Sequence, residues 1–276
     1  MTIASTRHSG VLDIGSLELY YEIRGRGPTL LLISGGASDA DQWSAIAPML
    51  ADDFTVLTYD RRGYSRSSRP ANWTSTSVTE QADDADALLR SLDLSPAAIF
   101  GHSGGASIAC SLVARHPETV RHALLYEPPL LAVVPRGDDV LTAMRDSIER
   151  AMAEGGAARA LEAFIRGNAG DRAFEEWCAA SEPAAYERTL GNATVFFDLE
   201  LPAFVRFVPD VAAMRRAGVP VTVLIGTEDL ETWVGAAGRW LASETGAKLV
   251  ELPGGHGGFV THPAELVKQV RTLAAK

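Results

Sequence analysis

Two cysteines in 276 residues, Cys110 and Cys178, are too few and too far apart for a disulfide framework or a four-ligand zinc site, so both are read as small packing residues. Basic residues are also short. Lys and Arg total 25 against 35 Asp and Glu, a formal net charge of −10. Such a surface repels phosphate backbones and anionic lipid, which argues against nucleic acid or a membrane as a partner. No apolar run reaches the roughly 18 residues that a membrane span needs, and Met1 to Gly10 lacks the apolar centre of a signal peptide. A cytoplasmic protein is expected. Low-complexity tracts and repeats are missing too, and the 46% hydrophobic and 22% charged fractions are those of a folded globular chain.

What is present is an alternation of short aliphatic runs with helical stretches, the pattern of a mostly parallel sheet covered by helices on both faces. Val11 to Ile14 and Leu17 to Ile23 lie too close for a helix and predict an antiparallel hairpin through Gly15-Ser16. Leu30 to Ile33 is a continuous apolar run, expected of a strand buried on both faces, and it ends in Gly35-Gly36. Phe54 to Tyr59, Ala97 to Phe100, His122 to Tyr126, Val219 to Ile225 and Lys248 to Leu252 predict further strands. Between His122 to Tyr126 and Val219 to Ile225 the chain shows only amphipathic helical segments, which need a surface to cover. The expected organisation is a core of residues 1–131 and 213–276 with an inserted helical cap over residues 132–212.

The strand Ala97 to Phe100 runs into Gly101-His102-Ser103-Gly104-Gly105, and a helix follows at once. A serine hydroxyl is a poor nucleophile at neutral pH and needs a base within reach and a site for the oxyanion it creates. A Gly-x-Ser-x-Gly turn between strand and helix supplies both openings: its glycines allow a tight turn that lifts the hydroxyl clear of the sheet, and a helix-start N–H faces the oxyanion. His256 is the natural base, because it lies after the last strand among Gly254, Gly255, Gly257 and Gly258. The other five histidines sit at the N-terminus, at element ends or, for His102, beside the serine where it shapes the turn.

With these motifs in this order, and with Asp60-Arg61-Arg62-Gly63-Tyr64-Ser65 between them, the chain resembles the α/β-hydrolase family over nearly its whole length. The resemblance implies an α/β fold with a mostly parallel, eight-stranded sheet and an inserted helical cap, and it implies that the Arg61-Arg62 loop is structural. It offers two carboxylates to orient His256. Asp229 stands where most of the family carries its acid, and Glu127 stands where a minority does, among them the lactone hydrolases that open zearalenone. Both stay open. Backbone N–H groups of Gly104 and Gly36 are the implied oxyanion donors, although the family's usual His-Gly is Ser34-Gly35 here, so a hydroxyl is expected to replace the support of that histidine. Trp177, Phe197 and Trp233 are candidates to line the substrate pocket. The expected partner is a small, fairly hydrophobic ester or lactone, with no metal and no organic cofactor implied; a homodimer is allowed. Thioesters, carbon-carbon bonds and perhydrolysis use the same residues, and some members of the fold are ligand receptors without catalysis.

Overall fold

The computed structural model describes residues 7–15, 17–70 and 72–275. An eight-stranded sheet forms its centre, with strands β1 (His8–Asp13), β2 (Glu18–Arg24), β3 (Thr29–Ile33), β4 (Thr55–Tyr59), β5 (Ala97–His102), β6 (Val120–Tyr126), β7 (Val221–Gly226) and β8 (Lys248–Leu252) in the order β1-β2-β4-β3-β5-β6-β7-β8. β1 and β2 pair antiparallel, as the short spacer requires, β2 meets β4 antiparallel, and the remaining pairs are parallel. Ser16, in the expected hairpin turn, lies outside the described residues, as do the first six residues of the segment read for a signal peptide.

The continuous apolar runs sit where both faces of the sheet are covered. In β3 the alternation of a strand sends Leu31 and Ile33 into one core and Leu30 and Leu32 into the other. On the first face pack α2 (Val78–Ser91), α3 (Gly104–Arg115), α7 (Val211–Ala217) and α8 (Trp233–Thr245). The second is covered by α1 (Ala47–Leu50) and α10 (Pro263–Ala274), with α9 (Gly258–Thr261) just before it. Cys110 is buried within α3, and burial pushes its thiol up to about 12, which leaves it inert.

Between β6 and β7 the chain is helical, as expected. α4 (Gly137–Ala180) bends at Gly155, Gly156 and Gly170, so it is a chain of shorter helices, and α5 (Pro183–Val195) and α6 (Leu201–Phe204) follow, joined by a π-helical turn Phe196–Glu200. A third apolar cluster holds this insertion to the core, with Leu161, Ala193, Val195 and Phe196 against Ala37 and Tyr64. α7, which straddles the expected boundary near residue 212, packs on α3 and α8 and so joins the core. No helix among the described residues is long and apolar enough to cross a membrane.

Candidate active site

β5 delivers Ser103 to the carboxyl edge of the sheet. The residue adopts φ 53° and ψ −124°, a strained conformation for a side-chain-bearing residue, at the N-terminus of α3. Its N–H donates to the Tyr126 carbonyl at 2.9 Å, which anchors the turn to β6. The flanking glycines are a steric necessity. A Cβ at Gly101 would lie 2.4 Å from the Gly105 carbonyl oxygen, and one at Gly105 would lie 2.2 Å from that of Ile33.

His256 comes back over the sheet in the loop after β8, and two carboxylates receive it differently. Its Nδ1 lies 2.6 Å from Glu127 Oε2, while its backbone N–H donates to Asp229 Oδ2 at 2.7 Å. Glu127 follows β6 at φ 49° and is fully buried, and its other oxygen accepts the Gly226 N–H at 2.7 Å. The ring is therefore met by Glu127 and the main chain by Asp229. Burial first, and the neighbouring Glu127 charge second, push the Asp229 carboxyl up to about 6.

His102 joins the histidine loop to the turn after β3. Gln42 Oε1 accepts the Gly35 N–H at 2.9 Å, so its amide nitrogen is the group that donates to His102 Nδ1 at 3.0 Å. His102 Nε2–H then donates to the His256 carbonyl at 2.9 Å. Burial holds this imidazole well below the usual histidine range, so it stays neutral as the two-sided bond requires. Gln42 had no signal in the sequence, since only the folded chain brings it to residue 102. It corrects the expectation for Ser34, whose hydroxyl donates to Ser38 O at 3.1 Å and leaves the Gly35 amide to Gln42.

Two cavities meet at Ser103 and His256. The larger, about 200 Å³, is walled by Leu131, Met144, Phe204 and Trp233 and reaches Asp229; the smaller, about 80 Å³, is walled by Ile165, Trp177, Phe259 and Val260. Gly36 lines both, and Gly104 lines the first. Among the described residues no hydrogen bond engages the N–H of Gly36 or of Gly104. Trp177 and Trp233 thus border different cavities. Phe197 is a correction: it lines neither cavity, because its ring packs against Phe164 and Phe196 inside the insertion at centroid distances of 6.3 and 5.1 Å. Phe164, which the sequence does not single out, lines both cavities, and its neighbour Phe196 lines the larger.

Arg61 and Arg62 are both spoken for. Arg62 makes a two-pronged bond to Asp84 at 2.6 Å and pairs with Glu80, and Arg61 pairs with Glu200. Neither guanidinium lines either cavity. Metal-ligating atoms converge once among the described residues, at Asp86 of α2 with His116 and Glu118 just after α3, where Arg90 already bridges Asp86 and Glu118.

A strand-turn-helix serine beside a strand-end carboxylate and a loop histidine, on this strand order, points to one family. The sequence model of the α/β hydrolase fold matches residues 28–148. The chain has the α/β-hydrolase fold. Its relatives agree: an uncharacterized hydrolase of Bacillus subtilis (strain 168), YraK, is 29% identical over 98% of this chain and 97% of its own. A zearalenone hydrolase of Bionectria ochroleuca is 34% identical over 113 residues, 40% of this chain and 43% of that protein. The enol-lactonase of Burkholderia xenovorans LB400 superposes with a TM-score of 0.76 at 20% identity, covering 97% of this chain and all of that one, which establishes the shared fold. These similarities support a hydrolase, on a fold that is common to many reactions.

Proposed function

We propose that this hydrolase cleaves a carboxylic ester or lactone of a small, neutral, fairly hydrophobic substrate through an acyl-enzyme on Ser103. The observation that carries the reading is the pairing of His256 Nδ1 with the buried Glu127 while His256 and Ser103 border the same two cavities. In this mechanism Glu127 fixes the tautomer that leaves Nε2 free to accept a proton. Ser103 Oγ attacks the carbonyl carbon as its proton passes to His256, and the oxyanion is received by the N–H groups of Gly36 and Gly104. His256 returns the proton to the departing oxygen, and water, activated by the same imidazole, releases the acid. Asp229 holds the main chain of the histidine loop.

Substrate character follows from the walls. No Lys or Arg lines either cavity, and Asp229 adds negative charge, so a carboxylate-bearing substrate would meet no partner. Apolar walls in both cavities at Ser103 suit an ester with apolar acyl and alcohol parts or an intact lactone with an apolar ring; the zearalenone hydrolase among the relatives fits that reading. The insertion, residues 132–210 with α7 left to the core, acts as the cap that closes these walls, in a cytoplasmic enzyme. The test is a panel of nitrophenyl esters and neutral lactones with fluorophosphonate labelling, on the wild type and on Ser103→Ala. The variant should lose turnover by on the order of 10⁴-fold or more and lose labelling altogether; turnover retained in Ser103→Ala refutes the proposal.

A further inference from the structure

The Gly35-Gly36 peptide is gripped from several sides. Its carbonyl oxygen, that of Gly35, accepts from Arg61 Nη2 at 2.6 Å and more distantly from Ser38 N–H at 3.4 Å. The Gly35 N–H, one peptide earlier, is held by Gln42. In a trans peptide the C=O and the following N–H point in opposite directions. A guanidinium clamped on Gly35 O therefore fixes the direction of the Gly36 N–H, on the other side of the same plane, where Gly36 borders Ser103 and Gly104. A charge-assisted bond to the carbonyl also polarises the peptide and strengthens its N–H as a donor.

Arg61 is not held by the core alone. Both of its terminal nitrogens bond to Glu200, one of them to Oε1 at 3.0 Å, and Nη1 also donates to Gln81 Oε1 at 2.6 Å; Gln81 Nε2 in turn donates to Glu200 at 3.0 Å. Arg61 and Glu200 expose 1% and 2% of their side chains. Glu200 belongs to the helical insertion, at the end of the π-helical turn that begins at Phe196. That turn lays the Phe196 ring so close to Gly36 that a Cβ there would sit 2.3 Å from it. One turn earlier Asn192 Nδ2 donates to Ala37 O at 2.9 Å, and its Oδ1 accepts the Ser65 N–H at 2.8 Å. Three successive residues of the turn after β3 are thus in contact with groups of the insertion or with groups the insertion holds.

A buried ion pair is weak evidence of stabilisation, since an apolar pair of the same volume often serves the fold as well. What an apolar pair cannot supply is the bond to Gly35 O. We propose that Arg61, locked by Glu200, is a positioning residue for the oxyanion hole: it sets the orientation of the Gly36 N–H, and the hole is complete only with the insertion seated. This rests on the reading of Ser103 as nucleophile.

The test compares Arg61→Met/Glu200→Leu, which removes the buried pair together, with Glu200→Gln, which keeps the reach of the side chain, and Glu200→Asp, which withdraws it by one methylene. The double variant should stay folded and lose roughly 10- to 100-fold in kcat with KM changed by less than about threefold, a loss below that of deleting an oxyanion donor outright. A trifluoromethyl ketone, which forms an oxyanion on the serine, should weaken in parallel, while a neutral amide analogue binds as before. Glu200→Asp should fall about fivefold or more below Glu200→Gln in kcat. The amide resonance of Gly36, read by NMR in a Ser103→Ala background, should shift in the double variant whether or not any ester is turned over. A wild type that neither turns over esters nor labels at Ser103 removes the nucleophile reading, and the Gly36 resonance still reports on the clamp. Overturning results are a folded double variant with wild-type kcat and ketone affinity, a loss that appears in KM instead of kcat, an unmoved Gly36 resonance, or, if the double variant fails to fold, Glu200→Asp as active as Glu200→Gln.

Discussion

Replacing Glu127 by Gln tests the site at its most constrained atom. The carboxylate is fully buried and both its oxygens accept, from Gly226 N–H at 2.7 Å and from His256 Nδ1 at 2.6 Å. An amide offers one acceptor and one donor. If its oxygen keeps the Gly226 bond, its NH2 faces Nδ1 and turns that nitrogen into an acceptor; the proton then sits on Nε2, which can no longer accept one from Ser103. The opposite flip sets NH2 against the Gly226 N–H and orphans a buried donor, at a cost of about 1–3 kcal/mol. The wrong tautomer therefore dominates. Amide replacement of the acid in a serine protease triad costs about 10⁴ in kcat, or about 5.5 kcal/mol in the barrier, and a similar loss is expected here. KM should move little, because Glu127 lines neither cavity. Asp229→Asn keeps an acceptor for the His256 N–H and should cost less than about tenfold. Stopped-flow hydrolysis of a nitrophenyl ester, with labelling rates as a second reading, separates the two. Glu127→Gln within tenfold of the wild type, with Asp229→Asn inactive, would refute the assignment of the acid.

Gly105→Ala should cost roughly 3 kcal/mol of stability, since its Cβ would lie 2.2 Å from the Ile33 carbonyl oxygen and neither backbone can yield cheaply; urea melts with an unchanged midpoint would contradict the contact. Gly191→Ala, inside α5 with nothing within 4 Å of the added methyl, should instead raise stability by up to about 1 kcal/mol. Asp229 gives a pH signature. Its carboxyl is raised from 3.8 to about 6 in the folded protein, so the unfolded chain releases this proton first and wild-type stability falls as pH rises between those values. The melting temperature of Asp229→Asn relative to the wild type should accordingly climb across that window and level off above it, and a flat difference from pH 4 to 8 would count against the shift. Trp177→Ala and Trp233→Ala enlarge different cavities. Over a series of nitrophenyl esters of increasing acyl length only one of them should lengthen the preferred chain; an equal response from both would mean that the two cavities act as one.

Much of the molecule was legible along the chain because the relevant physics is local. A strand covered on both faces must be apolar throughout, so Leu30 to Ile33 announced its place, and the Gly-x-Ser-x-Gly turn announced the strand-turn-helix that carries Ser103. Breaks at Gly155, Gly156 and Gly170 divide the long helix where the sequence has its helix breakers. Phe197 failed because adjacent aromatics on an irregular helical turn point in different directions, and spacing does not say which one faces the cavity.

The sequence by itself determined the sheet, the helical insertion, the strand-turn-helix at Ser103 and the short list of candidate groups around it, since each depends on residues within a few positions of one another. Only the tertiary structure decided between Glu127 and Asp229 as the neighbour of the His256 ring. That outcome depends on the register of β6, β7 and the loop after β8, which brings residues 127, 226 and 256 together across 129 positions of chain. The same holds for Gln42, His102, Arg61 and Glu200. Their chemistry is ordinary until folding removes water and leaves each buried polar group one partner to find.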